Sequence, residues 1–422
     1  MQEKLIEVKS SLLKLVKTLR EDSLVTKLWL VHSTYFTLLV LIGALFFSSP
    51  LFVHNLWGTY WNDSWRYLAN TLELGTYPYP FHLIATSLHY WVIYQPTSLL
   101  LPSDVALTFA VLLVNYLASL VGLVLWGRIL VEVFDLPPKV ALLTTLTYDF
   151  ALLSSFLLLA HSDVLFFLYQ TMAWFCFHKR RFWPTSFFTA MTFATRFTGA
   201  FFVLGMVILF SLYWWTGNRE LSPKIVVQTL VAGLLMFVVG FCSFLYSLLR
   251  HGDFWLPLTS QHSIYLQYTY HVGTEKPAST FTAPFVWWVD YFEWVRRTSD
   301  VFYTAQFILG ILVLIGSIGS ILWLVHYSQK RKENKKALEL LILCTTSQTA
   351  LTMLSSGTNF VRFASFSFPF VPLLIFVSDK LFRSGRTRMV YLVPLSAIVF
   401  GLVGLFATLA IVEPCPSCVA SP

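Results

Sequence analysis

The chain has 422 residues and is 56% hydrophobic, 17% aromatic and only 12% charged. Soluble domains carry about 25% charged residues, so the composition reads as an all-α, multi-pass integral membrane protein. The net charge of +8 does not point to nucleic acid. The Lys and Arg residues are dispersed over short loops between apolar segments, as membrane topology alone produces, and no basic stripe lies on a soluble domain.

Residues 1–27 carry Lys4, Lys9, Lys14, Lys17, Arg20 and Lys27 among Leu5, Leu12, Leu13, Val16 and Leu19. That spacing predicts an amphipathic arm on the cytosolic membrane surface, not a cleaved leader. A span needs about 20 apolar residues. Apolar runs at 28–48, 104–131, 139–160, 163–178, 183–198, 199–216, 224–249, 302–327, 337–356, 360–378 and 389–411 predict about eleven spans, with ten to twelve the range. They form one transmembrane domain over 28–412, followed by an outer tail at 413–422.

With the N-terminus in the cytosol, most of the 29 basic residues fall on the cytosolic side, as the positive-inside rule requires. Arg66, Arg196, Arg250, Lys276, Arg296, Arg297 and Arg362 are left outside. The segment 80–101 is apolar but holds His82, His89, Gln95 and Pro96. Reading it as a span would invert every later loop. We therefore expect 50–103 to be one outer segment with interfacial helices, and 250–301 a second outer segment rich in Trp and Tyr. Cys176, Cys242 and Cys344 lie in apolar runs as core residues. Cys415 and Cys418 form a lone CxxC that fits a disulfide or redox pair and lacks the further ligands of a zinc site.

Polar residues gather at outer helix ends. Asp63 sits in Trp61-Asn62-Asp63-Ser64-Trp65-Arg66-Tyr67, with Glu73 nearby. His161 and Asp163 occupy the turn after 139–160, Arg196 ends 183–198, and Asn359 and Arg362 open the span at 360–378. Ionisable groups at a membrane are functional candidates. Each also has a plainer reading: Asp63 and Asp163 as helix caps, His161 as a turn residue, Arg196 and Arg362 as snorkelling side chains. Asp149, in mid-span beside Tyr148, reads as a carboxylate bonded between helices, able to relay polarity to the site.

The order of these motifs resembles PIG-V-type mannosyltransferases, the relatives of GPI mannosyltransferase 2. Trp61-Asn62-Asp63-Ser64-Trp65-Arg66-Tyr67 followed by Tyr77-Pro78-Tyr79-Pro80-Phe81 is similar to that family's first outer loop. His161-Ser162-Asp163-Val164-Leu165-Phe166 resembles its Tyr-Ser/Thr-Glu-x-Leu-Phe motif, with Asp163 in place of Glu and His161 in place of Tyr. Thr195-Arg196-Phe197-Thr198-Gly199 resembles its Thr-Arg-x-x-Gly, and Arg362-Phe363 with Phe368-Pro369 its late Arg-Tyr…Phe-Pro. The resemblance implies a GT-C fold, a polyprenyl-phosphate-linked sugar donor, a glycolipid or glycan acceptor and a catalytic acid in the first outer loop.

Those implications assign Asp63 as general base, since a carboxylate within hydrogen-bond reach suits the acceptor hydroxyl. Arg196 and Arg362 are expected to hold the departing phosphate, with Asp163 orienting an Arg or the acceptor. Trp61, Trp65, Arg66, Tyr67, His161 and Asn359 complete the expected substrate-binding set. Direct displacement inverts the anomeric centre. No ligand spacing demands a metal, and a divalent ion stays compatible. The expected setting is a bacterial plasma membrane or an endoplasmic reticulum, with the site on the non-cytosolic side. The rivals are a transferase with another donor sugar, a non-catalytic membrane subunit and a lipid transporter; against the last, no repeat halves with interrupted helices are present.

Overall fold

The computed structural model describes residues 23–46, 64–73, 81–134, 136–150, 157–196, 198–216, 252–255 and 285–298, with single positions or short pieces between 227 and 249, 304 and 326, and 342 and 346. Among the described residues every regular element is a helix: α1 (Ser23–Phe46), α2 (Ser64–Leu72), α3 (Phe81–Ser98), α4 (Ser103–Phe134), α5 (Pro138–Tyr148), α6 (Asp163–His178), α7 (Phe182–Thr195), α8 (Gly199–Thr216) and α9 (Val286–Thr298).

Local chemistry sets several of these boundaries. Pro138 opens α5 at a position where its missing N–H costs nothing. α6 closes with Arg180 in the left-handed region (φ 58°). There the Arg181 N–H returns to Cys176 O and the Arg180 N–H to Phe177 O, both at 2.9 Å, so the last carbonyls of the helix are satisfied. Glycine usually takes that place. Here the Arg180 guanidinium lies 4.1 Å from the centre of the Tyr213 ring, a cation–π contact that offsets the backbone strain. The expected runs 163–178 and 199–216 coincide with α6 and α8. Within the run 139–160, α5 ends at Tyr148 and the helix widens at Asp149 and Phe150, and residues 151–156 lie outside the described residues.

α4 is the spine, and α1, α3, α5 and α6 all pack on it. α6, α7 and α8 follow as a zigzag in which α7 also meets α3, and α2 rests on α3. The turn Leu99–Pro102 folds α3 back along α4, with the Tyr94 hydroxyl 2.8 Å from Ser103 Oγ beside the turn. Gly122 lets α6 approach α4 closely, since a Cβ there would stand 2.6 Å from the Phe167 ring. One apolar cluster joins α1, the later part of α4, α5, α6, α7 and α8 through residues such as Leu28, Leu123, Ile129, Trp174, Phe177 and Phe202. A smaller one joins α2, α3, the start of α4 and Ala160 through Tyr67, Leu68, Tyr90, Leu107 and Val111.

Among the described residues, two helices are long and apolar enough to cross a membrane, over Ser23–Ile42 and Ser103–Val133, and only a minority of each is buried within the fold. Trp29 and Leu30 on α1 are 51% and 59% exposed, and Phe109, Leu117 and Val121 on α4 are exposed too. The core helix of a water-soluble domain would instead bury its large apolar residues. α8 carries a shorter apolar stretch at Gly199–Tyr213.

Candidate functional site

The polar centre of the fold lies where α6 begins and α7 ends. Asp163 is the first residue of α6, placed at the positive end of the helix dipole. It is fully buried, and its two oxygens face different partners. Oδ1 accepts from Arg196 Nη1, and Oδ2 meets His161 Nδ1. Its carboxylate therefore serves two side chains.

Arg196 reaches this position through a break in the chain. α7 ends at Thr195, and Arg196 turns extended at φ −156°, ψ 133°. Gly199 makes the break possible: a Cβ there would sit 2.5 Å from Thr192 O and 2.8 Å from Phe193 Cα. Its N–H bonds Arg196 O at 2.9 Å. The side chain is buried and lies 5.7 Å from the Phe166 ring centre. It is an internal cation of the fold and does not reach out to lipid. The Tyr67 ring covers His161 from α2, with ring centres 5.3 Å apart.

The expected site residues therefore divide. Tyr67, His161, Asp163 and Arg196, from three separate stretches of sequence, come together. Trp65 and Arg66 lie in the first turn of α2. Asp63, Trp61, Asn359 and Arg362 lie outside the described residues. No group of three or more His, Cys, Asp or Glu side chains is gathered among the described residues, and Asp163 is already engaged by Arg196.

Behind this cluster stands a layer of which sequence reasoning picked out only Asp149. Asn115 on α4 donates to Leu157 O at 3.1 Å and Leu159 O at 2.8 Å. The single hydroxyl hydrogen of Tyr90 on α3 is shared between Asn115 Oδ1 at 3.2 Å and His161 O at 3.1 Å, and its oxygen accepts the His161 N–H at 3.2 Å. One turn further along α4, Ser119 donates to Asn115 O at 2.7 Å and lies 2.9 Å from His32 Nε2. His32 Nδ1 is 2.8 Å from Asp149 Oδ2, with both side chains fully buried. Asp149 thus bridges α5 to α1, while its Oδ1 has no hydrogen-bond partner among the described residues. The available signal was Asn115 and Ser119, an i,i+4 polar pair in the apolar middle of the helix.

A second pair lies on the α3 side. His89 Nδ1 donates to Ala85 O at 2.7 Å, and its Nε2 meets the Tyr169 hydroxyl. Burial pushes the His89 imidazole below its ordinary pKa. Its ring is therefore neutral, and Nε2 is left to accept from Tyr169. No family model, no curated protein and no solved structure matches the chain.

Proposed function

We propose that the chain is a multi-pass membrane glycosyltransferase of the GT-C type. In this reading it moves a sugar, with mannose favoured, from a polyprenyl-phosphate carrier to an acceptor hydroxyl on the non-cytosolic side. One observation carries the reading: Tyr67, His161, Asp163 and Arg196, picked out by the order of sequence motifs, converge on one buried polar cluster.

Helix lengths fit a site near one face of a membrane, and the positive-inside expectation makes that face the outer one. α6 has 16 residues and α7 has 14, so at about 1.5 Å per residue they rise about 24 and 21 Å. The hydrocarbon layer is about 30 Å thick. With Lys179, Arg180 and Arg181 at the cytosolic boundary, the cluster at the other end of this hairpin lies just beneath the outer headgroups. A lipid-borne phosphate sits at that level.

In the reaction the acceptor oxygen attacks the anomeric carbon as the bond from that carbon to the phosphate oxygen breaks. The bonding pair leaves with the phosphate, and the acceptor proton passes to Asp63. Arg196 and Arg362 offset the charge gathering on the phosphate, and Asp163 fixes the guanidinium of Arg196. Trp61, Trp65 and Tyr67 supply aromatic surface against the sugar.

The test is transfer by purified protein in nanodiscs, from polyprenyl-phosphate mannose to a hydroxyl acceptor. Asp63→Ala and Asp163→Asn should each abolish turnover while the protein stays monodisperse. Near-normal turnover in Asp63→Ala would remove the base assignment, and no transfer by the native chain with any donor sugar would remove the reading. The buried His32–Asp149 pair favours a second reading, a proton-coupled lipid transporter. Proton flux in proteoliposomes that vanishes in Asp149→Asn would support it.

A further inference from the structure

The stretch that delivers His161 and Asp163 to Arg196 is not regular helix from Leu159 to Ser162, and it is buried. Buried backbone groups outside a helix need partners. Here two side chains supply them. Asn115 uses its amide hydrogens on the carbonyls of Leu157 and Leu159, and its oxygen shares the Tyr90 hydroxyl hydrogen with His161 O. The single Tyr90 hydroxyl holds both backbone groups of His161, accepting its N–H and donating to its carbonyl. At the far end of the same connection Asp149 is tied to His32, and His32 to Ser119, one turn from Asn115 on α4.

We infer that Tyr90 and Asn115 are positioning residues for sugar transfer: from α3 and α4 they template the irregular turn that sets His161, and through it Asp163 and Arg196. The inference rests on the reading of that cluster as the transfer site. Neither side chain is asked to touch substrate. Displacing reacting groups by about 1 Å can cost about a hundredfold in rate, and His161, whose two backbone groups both rest on the Tyr90 hydroxyl, is open to such a shift.

The experiment compares native protein, Tyr90→Phe, Asn115→Leu and Asp163→Asn in nanodiscs with polyprenyl-phosphate mannose and a hydroxyl acceptor. Rates are expressed per monodisperse molecule. Tyr90→Phe keeps the ring and its packing and removes one oxygen. It should lower kcat about tenfold to a hundredfold with donor KM little changed. It should also move the ring-nitrogen NMR signals of 15N-labelled His161, which report the bond to Asp163. A merely structural role would lower the unfolding midpoint and leave kcat per folded molecule and the His161 signals as in native protein. If native protein transfers and Asp163→Asn abolishes transfer, but Tyr90→Phe has native kcat and an unmoved His161 signal, the positioning role is overturned and the site stands. If native protein does not transfer, or Asp163→Asn is fully active, the site itself falls. The His161 signal in Tyr90→Phe then still decides whether the turn is templated. Asn115→Leu serves as a second variant: it should share the His161 shift if it folds.

Discussion

Asp163 and Arg196 meet across the α6–α7 hairpin, one as the first residue of its helix and the other as the first residue past the end of the next. Antiparallel helices of 16 and 14 residues joined by a short basic turn bring those two ends to one level. The pair is buried, so its partners depend on each other more than a surface pair would. Asp163→Asn leaves a buried guanidinium without its counter-charge and should cost about 3–5 kcal/mol. Replacing both by leucine should cost clearly less than the sum of the single changes. Denaturant unfolding of the four proteins in one micelle gives the coupling energy, and additive losses would count against the pair.

Gly199 offers a test that touches no charge. Its added Cβ would meet backbone atoms, not the end of a flexible side chain. Gly199→Ala should therefore displace the start of α8 and the Arg196 turn, at about 1–3 kcal/mol. Activity should fall further than stability alone explains. An unchanged melting temperature would show that the turn has more room than its geometry implies.

The His32–Asp149 pair predicts an asymmetry. His32→Ala strands a fully buried carboxylate and should destabilise by about 3–5 kcal/mol. Joint replacement of His32 and Asp149 by leucine should recover much of that loss, because no charge is then left to bury. Thermal unfolding followed by tryptophan fluorescence reads both.

His89 predicts a pH dependence. Its folded pKa lies below the ordinary value, so the unfolded chain binds the proton more readily. The contribution of His89 is fully present above about pH 6.5. It declines as pH falls below that value, until the imidazole protonates in the folded protein as well. Protonation also ends acceptance of the Tyr169 hydroxyl. His89→Gln should flatten this part of the stability profile, and an equally steep profile in the variant would assign it to another group.

Among the described residues, much of the helix layout could be read from the chain, for reasons visible at single residues, while the runs expected at 360–378 and 389–411 lie outside the described residues. α6 stops at a run of Lys179, Arg180 and Arg181, and α8 starts at a glycine that the backbone requires. His161, Asp163 and Arg196 stood out because each is polar at the end of an apolar run. Tyr90 and Asn115 did not. An Asn inside an apolar helix is marked as needing a partner, but periodicity does not say which neighbour meets that face. The bonds that use it reach across 25 and more than 40 residues. His89 entered the sequence argument only as a reason against a span, and its contact with Tyr169 across 80 residues has no local signature. Asp149 announced a buried bond, and only the packing of α1 on α5 supplied His32 as its partner.

α6 is held at both ends by different neighbours. Its head is tied to the end of α7 through Arg196, and its foot to α4 through Lys179 and Glu132, 2.6 Å apart in a half-exposed and weaker contact. Sliding the helix by one turn, about 5.4 Å, would break both ties and drive Phe167 off Gly122. The ratchet-like shifts by which many membrane proteins alternate between faces are therefore closed to this helix. The polar cluster therefore has a rigid floor.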